Sequence, residues 1–339
     1  MNKLSIGATL LVSVFSLAQN QKLTMQDAVL GMGSNLRIES LSQTQFIPNQ
    51  EAFSQVVKTS YGNALVKTSL PSMKVDTILR PADLGEISPK SVPMMTWMNS
   101  KEAYFQKDNQ LYKYNFEAHN ATPILELPAN VEYQEVDPTG KKWAYVVDNN
   151  LYLFEVDSNS KHQITNDGSE DIVNGKTVHR EEFGIHKGVF FSPKVSLVAF
   201  YRMDQSMVED YPIVNWSTTP AVNKNIKYPF AGRTSHQVTL GVYNPATKST
   251  KFLEIDGPKD QYLTSISWSP DEKSIFVGVL NRDQNHLKLN QYDAQTGKLI
   301  KTLFEEKHDK YVEPQNELYF LNEKEFVWWS QRDGFMHLY

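Results

Sequence analysis

Val136-Asp-Pro-Thr-Gly-Lys-Lys-Trp-Ala-Tyr-Val-Val147, followed by Asn149-Asn-Leu-Tyr-Leu-Phe154, is the stretch from which the fold of this chain can be read. An apolar residue leads into an Asp-Pro-Thr-Gly turn, then an apolar run, a polar Asp-Asn turn and a tyrosine-rich alternating run. That order describes two strands joined by a tight hairpin, with a third strand ending at Val136. The same block recurs at Trp97-Met-Asn-Ser-Lys-Glu-Ala-Tyr-Phe105 with Asp108-Asn-Gln-Leu-Tyr-Lys-Tyr114. Further copies open at Phe191-Ser-Pro-Lys194, running through Leu197-Val-Ala-Phe-Tyr201, and at Trp268-Ser-Pro-Asp-Glu-Lys-Ser-Ile-Phe-Val-Gly278. Another is Phe320-Leu-Asn-Glu-Lys-Glu-Phe-Val-Trp-Trp329 with Asp333-Gly-Phe-Met-His-Leu-Tyr339, and a weaker one starts at Phe46-Ile-Pro-Asn-Gln-Glu-Ala-Phe53. Small antiparallel sheets repeating at roughly 40–50 residues mark a β-propeller. A β-sandwich would also supply the strands, but it would not explain why the copies share internal phase. The expected fold is therefore all-β, a partial propeller of about six blades.

The spacing is irregular between Phe191 and Trp268, where the excess falls at about Arg202 to Thr234. Met207-Val-Glu-Asp-Tyr-Pro-Ile-Val-Asn-Trp216 and Lys227-Tyr-Pro-Phe-Ala-Gly-Arg233 each contain a Tyr-Pro break, which suits an arm leaving the propeller edge better than a core strand. Apolar residues on such an arm, Tyr211 and Trp216 among them, want a partner. A subunit contact and an arm folded back over its own blade both satisfy that demand. The last copy stops at Tyr339 where a strand should continue, and an unclosed ring would leave sheet edges exposed, so a fragment of a longer protein is expected. Trp328 and Trp329 are expected to face blade core on one side and an interface on the other.

At 339 residues the chain suits one large domain or two ordinary ones, and 12 % aromatics with scattered Gly and Pro suit a globular β protein. A formal net charge of −5 without a long basic run argues against nucleic acid as a partner. With no cysteine, disulfides, thiol catalysis and thiolate metal sites are excluded. The first eighteen residues differ from the rest. Lys3, an apolar run from Ile6 to Leu17 and the small-residue end Ser16-Leu17-Ala18 form an expected signal peptide, cleaved after Ala18. The run is short for a membrane span. Export to a bacterial periplasm or surface is expected, since disulfides are dispensable there. Residues 19–45 are expected to form an N-terminal strap, with a short helix over Leu23 to Leu30 capped by Thr24. The propeller is expected over 46–339.

Asn174-Gly-Lys-Thr-Val-His-Arg-Glu-Glu-Phe-Gly-Ile-His186 interrupts the repeats. Glu181 and Glu182 stand between the apolar Val178, Phe183 and Ile185. Adjacent like charges near low-dielectric surroundings stay ionised cheaply only with a cation between them, so they suit a subsite for a positive group such as a peptide α-ammonium. A solvated acidic turn paired with Arg180 or Lys187 is the plainer alternative. A metal held by His179, Glu182 and His186 is a further alternative. No HExxH motif is present, and the observed spacing converges only on a regular helix, against which Gly184 works. No metal or other cofactor is expected. His179 is expected to pack or hydrogen-bond beside the pair, while His119, His162, His236, His286, His308 and His337 have no partner at useful spacing.

Asn166-Asp-Gly-Ser-Glu-Asp-Ile-Val-Asn-Gly175 leading into Val178-His-Arg-Glu-Glu-Phe183, together with Tyr228-Pro-Phe-Ala-Gly232, Tyr311-Val-Glu-Pro314 and Arg332-Asp-Gly-Phe-Met-His-Leu-Tyr339, resembles the propeller domain of the dipeptidyl peptidase IV family and its bacterial relatives. The resemblance covers the chain from about Phe46 onward. It implies an eight-bladed propeller over an α/β-hydrolase domain with a Ser-Asp-His triad, and release of N-terminal dipeptides, commonly Xaa-Pro. It implies that Glu181 and Glu182 bind the free amino terminus of the peptide substrate, and that the arm at 202–234 takes part in a homodimer. The family also places an arginine from an earlier blade near the substrate carbonyl; around Lys107 to Lys113 none aligns, and none is assigned. No Gly-x-Ser-x-Gly nucleophile elbow occurs in the sequence, so the catalytic residues are expected beyond Tyr339. A free-standing, non-catalytic propeller used for binding is the competing expectation.

Overall fold

The structure, a computed structural model, describes residues 23–33, 36, 41–60, 62–88 and 90–339. The expected leader at 1–18 lies outside the described residues. A single turn-and-a-half of helix, Met25–Leu30, opens them. Thr24 caps it as expected: its hydroxyl accepts from the Asp27 N–H at 3.0 Å, and the Asp27 carboxylate accepts from the Thr24 N–H at 3.1 Å. No helix among the described residues is long and apolar enough to cross a membrane.

After the strap the strands of the described residues all pair antiparallel, and the sheets follow in chain order. Sheet 1 spans 42–79, sheet 2 spans 96–126, sheet 3 spans 133–163 and sheet 5 spans 262–307, each with four strands in sequence order. Sheet 4, over 172–252, has five strands because its inner edge is split between Ile172–Asn174 and Val189–Phe191. Two short strand pairs follow within 319–338. The six quoted repeats occupy one structural position. Each begins at the last residue of the innermost strand, and the next residue closes the turn onto the start of the second strand. The N–H groups of Ile47, Met98, Asp137, Ser192, Ser269 and Leu321 donate to the carbonyls of Ala52, Glu102, Lys142, Leu197, Ser274 and Glu325 at 2.9–3.0 Å. Sheet 1 starts at Ser42, slightly ahead of the boundary drawn at 46, because a strand over Ser42–Phe46 precedes that first turn.

The core lies between consecutive sheets. Leu65 and Leu79 of sheet 1 meet Trp97, Phe105 and Tyr114 of sheet 2. Leu111 of sheet 2 meets Trp143 and Tyr145 of sheet 3, and Leu151 of sheet 3 meets Val198 and Phe200 of sheet 4. Tyr201 and Leu240 of sheet 4 meet Ile275 and Val277 of sheet 5, whose other face packs Phe276 and Leu287 with Trp328. Each such side chain stabilises the stack by about 1.5–3 kcal/mol through burial. Sheets that each pack on the next, in chain order, are the blades of a β-propeller. Trp328 is buried, as expected, and its indole N–H donates to Glu306 at 2.9 Å.

The projecting arm is narrower than 202–234. Arg202 to Asp204 belong to the core strand Val198–Asp204, paired with Gln237–Asn244. What projects is a two-stranded hairpin, Asp210–Asn215 with Val222–Lys227, paired with no other sheet. The Tyr-Pro breaks mark its two ends rather than the core strand that leads to it.

Candidate functional site

The glutamate pair sits on a turn of unusual hand. His179, Arg180 and Glu181 have φ of 52°, 56° and 64°, so the turn His179–Glu181 winds left-handed, and Phe183 follows at φ 56°. For residues with a Cβ this conformation costs about 1–2 kcal/mol each. It persists because the flanks hold it. Val178, Phe183 and Ile185 are buried, and the Glu181 and Glu182 N–H groups donate to the carbonyls of Val178 and His179 at 3.0 and 3.2 Å. The Phe183 carbonyl accepts from the Thr264 hydroxyl of sheet 5 at 2.5 Å. Gly184, at φ 71°, lets the chain pass against the main chain of Gln315.

Because apolar residues and His179 turn inward, Glu181 and Glu182 turn outward. Both line a cavity of about 610 Å³ with Phe183, Gln284, Tyr311, Val312, Glu313 and Gln315. The Thr177 hydroxyl donates to Glu181 at 3.1 Å. Among the described residues, no Lys, Arg or His forms an ion pair with either glutamate. The two neighbouring cations are directed elsewhere. Arg180 donates to the Lys227 carbonyl and lies 4.7 Å from the Tyr228 ring centroid, while Lys187 pairs with Glu317 at 3.5 Å. The pair is exposed, as the plainer reading held, but it is not neutralised by the partners that reading supplied.

On its other side the turn closes a second cavity of about 300 Å³, lined by His179, Arg180, Met203, Lys227 and His236 among others. His179 is 4 % exposed and has both ring nitrogens engaged. Its Nε2 accepts from the Leu263 N–H at 3.2 Å, and its Nδ1 lies 3.0 Å from Nε2 of His236. Burial, followed by the charges of His236 and Arg282, holds His179 well below its ordinary value. Burial, then Arg180 and Arg282, holds His236 down at about 4. His186 is exposed and does not join them, so the structure does not bring His179, Glu182 and His186 together as ligands.

Sequence reasoning missed two residues here. His236, treated as partnerless, meets His179 across 57 positions, a distance no spacing motif reports. Glu313 adds a third carboxylate to the larger cavity from the Tyr311-Val-Glu-Pro314 segment, accepting from Gln315 at 3.1 Å. No arginine was assigned from the earlier blades. Arg282 of sheet 5 stands near the histidines, donating to the Tyr262 hydroxyl.

Residues 91–339 match the family described as the dipeptidyl peptidase IV (DPP IV) N-terminal region. The chain is 32 % identical over 193 residues to a dipeptidyl-aminopeptidase B assigned in Phaeosphaeria nodorum, covering 51 % of this chain and 21 % of that protein. A second such protein, from Pyrenophora teres, is 30 % identical over 192 residues, again 51 % of this chain and 21 % of the relative. Among solved structures, a protein from Bacteroides ovatus assigned as a dipeptidyl aminopeptidase IV superposes with a TM-score of 0.77 at 36 % identity, covering 88 % of this chain and 42 % of that one. The Porphyromonas gingivalis dipeptidyl peptidase 4 superposes with a TM-score of 0.75 at 24 % identity, over 94 % of this chain and 47 % of that one. The chain thus spans about a fifth of the length of the curated relatives and under half of the solved ones. It belongs to the dipeptidyl peptidase IV family and carries that family's N-terminal propeller region.

Proposed function

We propose that this propeller region holds the free amino terminus of a peptide substrate for an exported dipeptidyl aminopeptidase, with Glu181 and Glu182 as the ammonium clamp. One observation carries the reading. Two adjacent carboxylates face a cavity of about 610 Å³, and no cation of the described residues neutralises them. An α-ammonium placed there supplies the missing charge and donates up to three hydrogen bonds, which are strong because both partners are ionised. Holding that end fixes how far into the peptide the scissile bond falls, so an enzyme with this clamp counts residues from the amino terminus. Serine chemistry, with Xaa-Pro dipeptides as products, is assigned to a hydrolase domain lying on the sequence after the propeller.

The domain reading proposed with it is a leader over 1–18, a strap up to the first sheet, and the propeller onward. The hairpin 210–227 is assigned to a homodimer contact. Tyr211, Ile213, Val214 and Val222 are exposed on it, and Trp216 is 81 % exposed at its tip.

The test uses the full-length enzyme and a dipeptidyl p-nitroanilide with a free amine. Replacing a carboxylate by an amide at Glu181→Gln or Glu182→Gln removes a charged hydrogen bond, about 1.5–3 kcal/mol, so kcat/KM should fall roughly 10- to 150-fold without loss of folding. Unchanged kcat/KM in both variants would exclude the clamp.

A further inference from the structure

The glutamate turn is fastened from beneath by two histidines that do not line the larger cavity shared by Glu181 and Glu182, although Glu181 also borders the smaller cavity they line. His179 is the first residue of the left-handed turn, so its ring and the Glu181 and Glu182 carboxylates are carried by one short piece of backbone. The ring reaches Leu263, on the innermost strand Tyr262–Trp268 of sheet 5. That strand is an edge of its sheet, and Leu263 lies opposite Val279 in the register. The His179 ring supplies the Leu263 N–H with an acceptor, as a buried backbone donor requires.

The hydrogen-bond chain has one consistent assignment. A main-chain N–H can only donate, so His179 Nε2 carries the lone pair and its neutral ring is protonated on Nδ1. That proton points to His236 Nε2, 3.0 Å away, which therefore accepts and leaves the His236 proton on Nδ1. His236 stands at the start of the sheet 4 strand Gln237–Asn244, just after the segment that returns from the projecting hairpin. The two rings are 4.9 Å apart, and Tyr262 closes edge-on against His179 at 5.0 Å. The chain Leu263–His179–His236 thus runs from one sheet to the next through the turn that bears the glutamates.

We propose that His179 and His236 form a buried strut that positions Glu181 and Glu182 for the substrate ammonium. The inference rests on the clamp reading above and adds to it the residues that fix where the clamp stands. They are positioning residues, since neither contacts the cavity where the ammonium would sit. A glutamate on an unsupported left-handed turn would relax toward a right-handed conformation, and the two residues would no longer line one cavity together.

The experiment is a double-mutant cycle in the full-length enzyme, read as KM and kcat for Ala-Pro-p-nitroanilide. His236→Leu keeps the approximate volume but removes the acceptor; His236→Gln can return a carbonyl oxygen to the same place. The strut predicts that His236→Leu raises KM about tenfold with kcat changed less than about threefold, and that His236→Gln recovers most of the loss. In a Glu182→Gln background the same His236→Leu change should add less than about twofold, because the group it positions is already disabled. Additive losses in the cycle, no rescue by Gln, or an unchanged KM in His236→Leu would overturn the strut while leaving the clamp in place. If Glu182→Gln alone leaves kcat/KM unchanged, the clamp falls and the strut falls with it.

Discussion

Replacing Gly184 by alanine tests the geometry of the site without reference to activity. The glycine has φ of 71°, where a Cβ costs about 1–2 kcal/mol. A Cβ built there would lie 2.6 Å from the Gln315 carbonyl carbon and closer still to its oxygen. Main chain cannot rotate out of the way as a side chain can, so the segment bearing Tyr311 to Gln315 must shift. Forced overpacking of that kind costs a further 1–3 kcal/mol or so. The two effects sum to about 2–5 kcal/mol. Gly232 supplies the control, because its φ is 76° yet no heavy atom lies within 4 Å of its would-be Cβ. Gly232→Ala should therefore cost only the conformational part. Urea unfolding of the two variants, compared through midpoint shifts at constant m, measures the difference directly. If Gly184→Ala were no more destabilising than Gly232→Ala, the close approach of the glutamate turn to Gln315 would be refuted.

Two further outcomes are expected besides those of the clamp and the strut. The folded protein holds His236 down at about 4, against about 6.5 when unfolded, so the unfolded chain binds the extra proton between those values. Stability should be free of this penalty above pH 6.5 and fall by up to about 3 kcal/mol as pH drops towards 4. His236→Gln should lose correspondingly less over the same window; parallel stability curves for the two proteins would contradict the burial of that ring. If the hairpin joins two subunits, Trp216→Ser should weaken association at least about tenfold, as loss of an aromatic anchor does. Sedimentation velocity across a dilution series would show it, and an unaltered profile would remove the hairpin from the interface.

The repeats were legible in the sequence because every copy spells the same local event: a strand end, a turn closed by one main-chain hydrogen bond, and a second strand. Turn chemistry is local, so Asp-Pro-Thr-Gly and Ser-Pro-Asp announce it. Glu181 and Glu182 were singled out through their apolar neighbours and the resemblance they carry, and both line one cavity. What could not be read is the hand of the turn. Arg180 and Glu181 have no preference for a left-handed conformation, which is imposed by Val178, Phe183 and Ile185 packing into the core. His236 was invisible for a related reason: its partner is set by how sheet 4 stacks on sheet 5, not by any spacing along the chain. The arm was read too wide because Arg202 to Asp204 look polar, although that stretch pairs on both sides within sheet 4.

The inner edge of sheet 5 is stitched to its neighbour at successive residues. The Leu263 N–H goes to His179, the Leu263 carbonyl accepts from the Tyr201 hydroxyl at 2.9 Å, and Thr264 reaches the Phe183 carbonyl. Other neighbouring sheets are also joined by hydrogen bonds, such as that of the Trp97 indole to Ser54 and of the Asn174 N–H to the Asn149 carbonyl, but those do not hold the glutamate turn. Here sliding would drag the glutamate turn with it. The relative tilt of these two blades therefore fixes where the glutamate turn stands, and if that turn holds a peptide's amino end as proposed, a substitution that alters their stacking would displace the holding point without touching a substrate contact.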